Sequence, residues 1–284
     1  MRSEIKTVGV VGAGTMGRGI AISCVLAGYE TLLFDINTVL CEKALPLIHQ
    51  SIDQSVSKGK LTKEAGEEGL SRIRCVKSLP DLRADIIIEA VIENLEVKQN
   101  LFADLEKINT EQTILATNTS SISITQIASA LQNPSRFIGL HFFNPAHLMK
   151  LVEVISGKQT DPDIALTMMN FSKSLGKTAV EVKDSPGFIV NRVARHYYVE
   201  SFKLLEEGVS DVEGIDKLLR SSGFKMGPFE LMDLIGIDVN FAVTTSVYEG
   251  FNRNPKFKPS AIQKEKVDRG FLGRKTGRGF YVYK

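Results

Sequence analysis

The chain has 284 residues, 43% hydrophobic and 24% charged, enough apolar material for one large or two modest domains, which excludes a disordered chain. Thirty-five Lys and Arg against 33 Asp and Glu leave a formal charge of +2, without the basic excess of a protein that grips nucleic acid. The longest uncharged run, Gln112 to Ser135, is more than half Ser, Thr, Asn and Gln, which does not suit a membrane span.

Met1-Arg2-Ser3 leads almost directly into a short apolar run, so no secretory leader is expected. Cys24, Cys41 and Cys75 are odd in number and never in a C-x-x-C pair. With only four His they predict neither a disulfide framework nor a metal site, and a reduced, cytoplasmic setting.

The first two-thirds alternate short apolar runs with helical patterns, the signature of a doubly wound parallel α/β sheet. Val8–Val11 is a predicted strand, Gly17–Leu26 a helix that stops at Gly28, and Thr31–Phe34 a second strand. A long helix follows, with Leu40, Ala44, Leu47, Ile48, Ile52 and Val56 on one face and Ser51 and Lys58 on the other. Pro46 inside it predicts a kink or a late start. Further strands are predicted at Ile86–Ile88, Thr113–Ala116, Phe137–Leu140, Leu151–Ile155 and Thr178–Val182. At Asp184-Ser185-Pro186-Gly187 the texture changes. Asp or Ser as N-cap with Pro at the first position predicts a helix running to Gly208, and the rest reads as helical to about Gly250 with a Gly-rich basic tail. The expected domains are therefore 1–184 and an all-helical 185–284.

Gly12-Ala13-Gly14-Thr15-Met16-Gly17 follows a strand and opens a helix, the context in which G-x-G-x-x-G cradles a pyrophosphate. The second strand ends at Asp35, where a carboxylate accepts from a ribose 2′-OH and repels a 2′-phosphate. The next residues are Ile36 and Asn37 rather than Arg, which predicts NAD over NADP. The alternative leaves the glycines as turn residues and Asp35 as a helix cap.

His141 falls at the end of one predicted strand and Glu153 within the next. Neighbouring strands bring such residues into hydrogen-bond reach, and a carboxylate beside an imidazole fixes its tautomer and stabilises the imidazolium. Oxidation of a hydroxyl to a ketone needs such a base.

Six strings occur in order: Gly12–Gly17, Glu89-Ala-Val-Ile-Glu93-Asn94, Asn118-Thr119-Ser120-Ser121, His141-Phe-Phe-Asn144-Pro145, Met149-Lys-Leu-Val-Glu153-Val and Pro186-Gly-Phe-Ile-Val-Asn191-Arg192. This series, with Met226-Gly-Pro-Phe-Glu-Leu and Leu272-Gly-Arg-Lys275-Thr-Gly, resembles the L-3-hydroxyacyl-CoA dehydrogenase family over essentially the whole chain. The length is similar to its bacterial 3-hydroxybutyryl-CoA branch. The resemblance implies NAD-dependent oxidation of short-chain (S)-3-hydroxyacyl-CoA and a homodimer through the C-terminal domain. It implies His141 as general base, Glu153 as its orienting acid, Ser120 and Asn191 on the substrate oxygen, and Ser120 also near the nicotinamide. Asn144, Glu93, Lys98 and Lys275 match cofactor-side positions, and Ser51 and Lys58 match positions that touch the CoA moiety.

Bland readings stand beside these roles: Ser120 as a helix cap, Glu93 as a solvated acid, Asn191 bonding locally, and Ser51 and Lys58 as a wet helix face. Where the family carries Asn-Pro-Ala-Pro-Val-Met, this chain has His147 and Leu148, which either replaces a turn proline or reshapes the mouth of the acyl pocket. Asp238-Val-Asn-Phe-Ala-Val-Thr and Val190–Arg195 look closer to 3-hydroxyadipyl-CoA enzymes. Arg195, one turn beyond Asn191, reads as a salt-bridge residue, with a terminal carboxylate as the alternative partner. Free-acid 3-hydroxyacid dehydrogenases, which rely on a lysine, and a non-catalytic relative are the competing readings.

Overall fold

The computed structural model describes residues 4–283, so Met1-Arg2-Ser3, where the leader reading starts, lie outside the described residues. The chain divides into two compact units, one ending at Asp184 and one beginning at Ser185.

The first unit runs β1 (Thr7–Val11), α1 (Thr15–Leu26), β2 (Glu30–Phe34), α2 (Thr38–Ser57), α3 (Lys63–Ser71), β3 (Ile73–Cys75), β4 (Ile86–Glu89), α4 (Leu95–Ile108), β5 (Ile114–Thr117), α5 (Ile124–Ala128), β6 (Phe137–Phe142), β7 (Leu151–Ser156), α6 (Pro162–Ser174) and β8 (Thr178–Lys183). One sheet holds all eight strands in the order β3-β2-β1-β4-β5-β6-β7-β8. The strand order reverses between β1 and β4, the switch point at which open α/β sheets bind ligands beyond the carboxyl ends of their strands. The central strands are apolar because helices cover both faces: Val8, Val10, Ile86, Ile88, Ile138 and Leu140 are fully buried.

The sheet is not wholly parallel, as the sequence reading had it. β1 to β6 are parallel, but β7 runs antiparallel to β6, and β8 is parallel to β7. The reason is connection length. Only residues 143–150 join β6 to β7, too few for the crossover of a dozen or more that a parallel pair needs, whereas α6 provides one between β7 and β8. The three-residue β3 was not anticipated.

Pro46 neither delays nor ends α2, which starts at Thr38 behind an Asn37 side-chain cap and continues to Ser57. An interior proline costs about 3 kcal/mol. Burial of Ile48 and Ile52, at roughly 1.5–3 kcal/mol each, offsets it. Lys58 is the residue after the helix, at its C-cap, rather than on its face. The cysteine expectation is also corrected: Cys41 at the start of α2 and Cys75 at the end of β3 form a disulfide, with Cα atoms 6.2 Å apart. They meet because β3 pairs with β2, the strand that feeds α2.

The second unit is helical: α7 (Val190–Glu206), α8 (Val212–Ser221), α9 (Pro228–Ile235), α10 (Ile237–Gly250) and α11 (Ala261–Asp268). Tyr198, Phe202, Ile215, Phe229, Met232 and Ile237 form its core. Its first helix begins later than predicted. Gly187 at φ 73° and Phe188 at φ 50° are left-handed, which a helix cannot continue through, so Asp184 and Ser185 are not its cap. Asp184 instead accepts from Ser123 Oγ and the Thr125 amide. The tail is pinned by buried Asp233, which takes the Phe280 and Tyr281 amides and the Tyr283 hydroxyl. Among the described residues no helix is long and apolar enough to cross a membrane.

Candidate active site

β1 ends in a glycine loop. Gly12 is left-handed at φ 102°, and a Cβ at Gly17 would overlap the Gly12 carbonyl oxygen, so neither position accepts a side chain. Gly14 differs: a Cβ there would meet nothing within 4 Å, which leaves open space where backbone must approach a ligand. Gly14 is also the N-cap of α1, and no side chain caps that end, so the first amides of α1, from Thr15, Met16 and Gly17, are free to receive an anion. Asp35 Oδ2 accepts the Ala13 amide at 2.8 Å and Oδ1 the Asn37 amide at 2.9 Å. Each oxygen retains acceptor capacity for a hydroxyl. Asp35 is not the cap of α2; Asn37 is. The loop fits a dinucleotide with a 2′-OH ribose.

β4 ends in Glu89, fully buried, which is costly unless paired. Lys98, also buried, binds Glu89 at 2.5 Å and Glu93 at 3.3 Å, and Thr117 Oγ1 and the Val91 amide complete the Glu89 shell. Lys98 thus points its ammonium at carboxylates inside the protein. Glu93 Oε1 in turn accepts from Thr119 Oγ1, the amides of Ser120 and Ser121, and Ser121 Oγ. Burial raises its carboxyl, but the Lys98 charge and these donors outweigh that and hold it below the ordinary Glu range. Glu93 thus anchors the Ser120 loop while its side chain stays 37% exposed, and Ser123, not Ser120, caps α5. By linkage, a lowered carboxyl contributes stability that is present above its unfolded pKa and lost as pH falls through the folded value. We expect Glu93→Gln to lower kcat/KM about tenfold by loosening Ser120. Steady-state rates beside thermal melts check this: a rate loss in a variant that stays folded at the assay temperature supports it, and an unchanged rate contradicts it.

Glu89, Thr119 and Asn118 join the site without a role expected from the sequence. Asn118 Oδ1 accepts the Phe142 amide at 2.8 Å and ties the Ser120 loop to the end of β6. The signal for Glu89 was present: an acid closing the apolar run Ile86–Ile88, nine residues before a lysine.

His141 and Glu153 are directly opposite in the antiparallel register of β6 and β7. His141 Nδ1 lies 2.7 Å from Glu153 Oε2, with both residues buried. A carboxylate only accepts, so Nδ1 carries the proton and Nε2 is left basic. The short antiparallel turn that the sequence reading did not foresee is what faces the pair together. Lys177 braces that turn from beneath, donating to the Ala146 and Met149 carbonyls.

The other expected residues are placed as follows. Asn144 is exposed, before a cis peptide to Pro145. Ser51 Oγ bonds back to the Leu47 carbonyl, and Lys58 is exposed at the end of α2. Asn191 is the second residue of α7. Lys275 is in the second unit, its ammonium on Asp238 at 2.7 Å. His147 is half-buried, with Nδ1 enclosed and unpartnered; burial, then the Lys177 charge, lower its pKa and favour the neutral ring. Arg195 is 3% exposed and, against the salt-bridge reading, forms no ion pair among the described residues. Nor do the described residues contain a group of His, Cys, Asp and Glu that could hold a metal ion.

A glycine loop ending on a ribose-side acid, and a buried imidazole–carboxylate pair on the same sheet, define an NAD-dependent oxidoreductase. Residues 7–185 match the 3-hydroxyacyl-CoA dehydrogenase NAD binding domain and residues 187–283 the 3-hydroxyacyl-CoA dehydrogenase C-terminal domain. The chain belongs to the 3-hydroxyacyl-CoA dehydrogenase family. It is 49% identical to the 3-hydroxyadipyl-CoA dehydrogenase of Escherichia coli (strain K12), across 100% of this chain but only 60% of that relative's length. It is 40% identical to the probable 3-hydroxybutyryl-CoA dehydrogenase of Bacillus subtilis (strain 168), covering 99% of this chain and 98% of the relative. The crystal structure of (S)-3-hydroxybutyryl-CoA dehydrogenase from Ralstonia eutropha superposes with a TM-score of 0.95 at 42% identity, over 99% of this chain and 100% of that one.

Proposed function

We propose that the protein interconverts short-chain (S)-3-hydroxyacyl-CoA and 3-ketoacyl-CoA, with 3-hydroxybutyryl-CoA as its substrate. The observation that carries the reading is the 2.7 Å contact between His141 Nδ1 and Glu153 Oε2. In the oxidative direction His141 Nε2 takes the C3 hydroxyl proton, and Glu153 stabilises the imidazolium that forms. Bound NAD supplies the acceptor for the C3 hydride. Ser120 and Asn191 hold the substrate oxygen as its charge changes, which favours the transition state over the ground state. In the reductive direction the imidazolium returns the proton to that oxygen. Asp35 selects the ribose, the first turn of α1 receives the pyrophosphate, and Asn144 and Lys275 complete the cofactor side. Lys58, free in solvent, and Ser51 meet the polyanionic CoA moiety.

The working form is a homodimer through the second unit, a reading supported by the apolar residues Leu218, Phe224 and Leu234 that this unit leaves exposed. The activity is tested by following NADH absorbance with acetoacetyl-CoA and, separately, with free acetoacetate, NADPH being run in parallel. Reduction of the thioester by NADH, with little turnover of the free acid or with NADPH, is expected. Equal use of the free acid would favour a 3-hydroxyacid dehydrogenase instead.

A further inference from the structure

Lys177 stands just before β8 and is buried, with 8% of the residue exposed. Its ammonium donates to the Ala146 carbonyl at 2.7 Å and to the Met149 carbonyl at 2.9 Å. Both acceptors are neutral. The titratable groups that face it are Cys24 of α1, whose thiol burial pushes up to about 12, and His147, whose neutral ring is favoured. No anion among the described residues therefore compensates the charge. A buried cation on neutral partners is costly, and an apolar side chain of the same length would fill the space without that cost. What the ammonium adds is direction, since it fixes two carbonyls three residues apart in the turn between β6 and β7.

That turn decides the register of the buried pair. Phe142 pairs with Val152 where β6 gives way to the turn, and this sets Glu153 opposite His141. A slip of one residue would send Glu153 to the other face of the sheet. The Met149 carbonyl that Lys177 holds lies two residues before β7 begins, and Thr178, next to Lys177, donates to the Lys150 carbonyl and pairs with Leu151. From the other side the turn is pressed on α1, the cofactor helix. A Cβ at Gly19 would lie 3.0 Å from the Ala146 Cβ, and Ser23 Oγ lies 3.5 Å from the Ala146 carbonyl oxygen. Resting on the proposed function, in which His141 and Glu153 handle the proton, we infer that Lys177 is a positioning residue for that pair. It sets the entry of β7 so that Glu153 Oε2 meets His141 Nδ1, and through Ala146 it seats the turn against α1.

The test is a double-variant cycle with NADH and acetoacetyl-CoA, in which Lys177→Met nearly keeps the length of the side chain and removes its donors. Rates are expressed per NADH-binding site, counted by fluorescence titration, so that a misfolded fraction cancels. In the otherwise unaltered protein Lys177→Met is expected to lower kcat by about 10- to 100-fold, as loss of position remote from the reacting atoms can. In Glu153→Gln, where the pair is already broken, the same change is expected to cost less than about threefold. A loss of equal size in both backgrounds means that Lys177 acts elsewhere and overturns the inference. So does an unchanged kcat in folded Lys177→Met. Where that variant does not fold, Lys177→Gln, whose shorter amide cannot span both carbonyls, takes its place in the same cycle with the same outcomes. If the unaltered protein does not reduce acetoacetyl-CoA, the proposed function itself fails, an outcome distinct from turnover that ignores Lys177.

Discussion

His141→Gln lowers kcat by roughly 10²- to 10⁴-fold while the protein still binds NADH, the range usual for loss of a general base. The glutamine amide fills much of the imidazole volume and can meet Glu153, so the β6–β7 pairing survives. What disappears is a basic nitrogen able to take the hydroxyl proton and, as imidazolium, to return it. The glycine loop and Asp35 belong to other strands of the sheet and are untouched. NADH fluorescence titration beside steady-state rates checks both halves of the prediction. Weakened NADH binding would show a fold defect, and an unchanged kcat would remove His141 from the chemistry.

Glu153→Gln produces the second large loss, again roughly 10²- to 10⁴-fold in kcat, the upper end being what loss of the correct tautomer costs in serine proteases when the acid behind the histidine becomes an amide. Glutamine keeps the size and one acceptor, at a position only 1% exposed. Its amide donor can face Nδ1, which then becomes the acceptor and moves the proton to Nε2, where it blocks proton abstraction. The neutral side chain also gives up stabilisation of the imidazolium. Steady-state rates for both variants and the double variant measure this. Because the two residues act as a unit, the double variant is expected to lose little more than either single one.

Legibility followed range. The glycine loop and Asp35 could be read because each depends on neighbours in the chain: a strand, a turn, a helix start and the end of the next strand. His141 and Glu153 could be named because they sit on consecutive strands, although their facing depends on the antiparallel turn, which the reading missed. The short stretch 143–150 between two apolar runs was the available sign, since a parallel crossover does not fit it. Glu89, Lys98 and Glu93 form a network that emerges only when β4, β5 and α4 assemble, so the resemblance implied cofactor-side roles for Glu93 and Lys98 but gave no sign of the anchoring of the Ser120 loop. Cys41 and Cys75, 34 residues apart, carry no local sign of pairing; the β2–β3 register joins them. The late start of α7 likewise lies in the backbone of Gly187 and Phe188, where a proline after Asp and Ser argued for an earlier helix.

Chemical rescue addresses the base most directly. His141→Gly removes an imidazole packed against Phe143 and bonded to Glu153, the volume that added free imidazole is expected to refill. NADH formation from (S)-3-hydroxybutyryl-CoA by this variant is measured across imidazole concentrations. A rate far below that of the unaltered protein that rises with imidazole and saturates is expected; a rate close to that of the unaltered protein and indifferent to imidazole would contradict a base at His141.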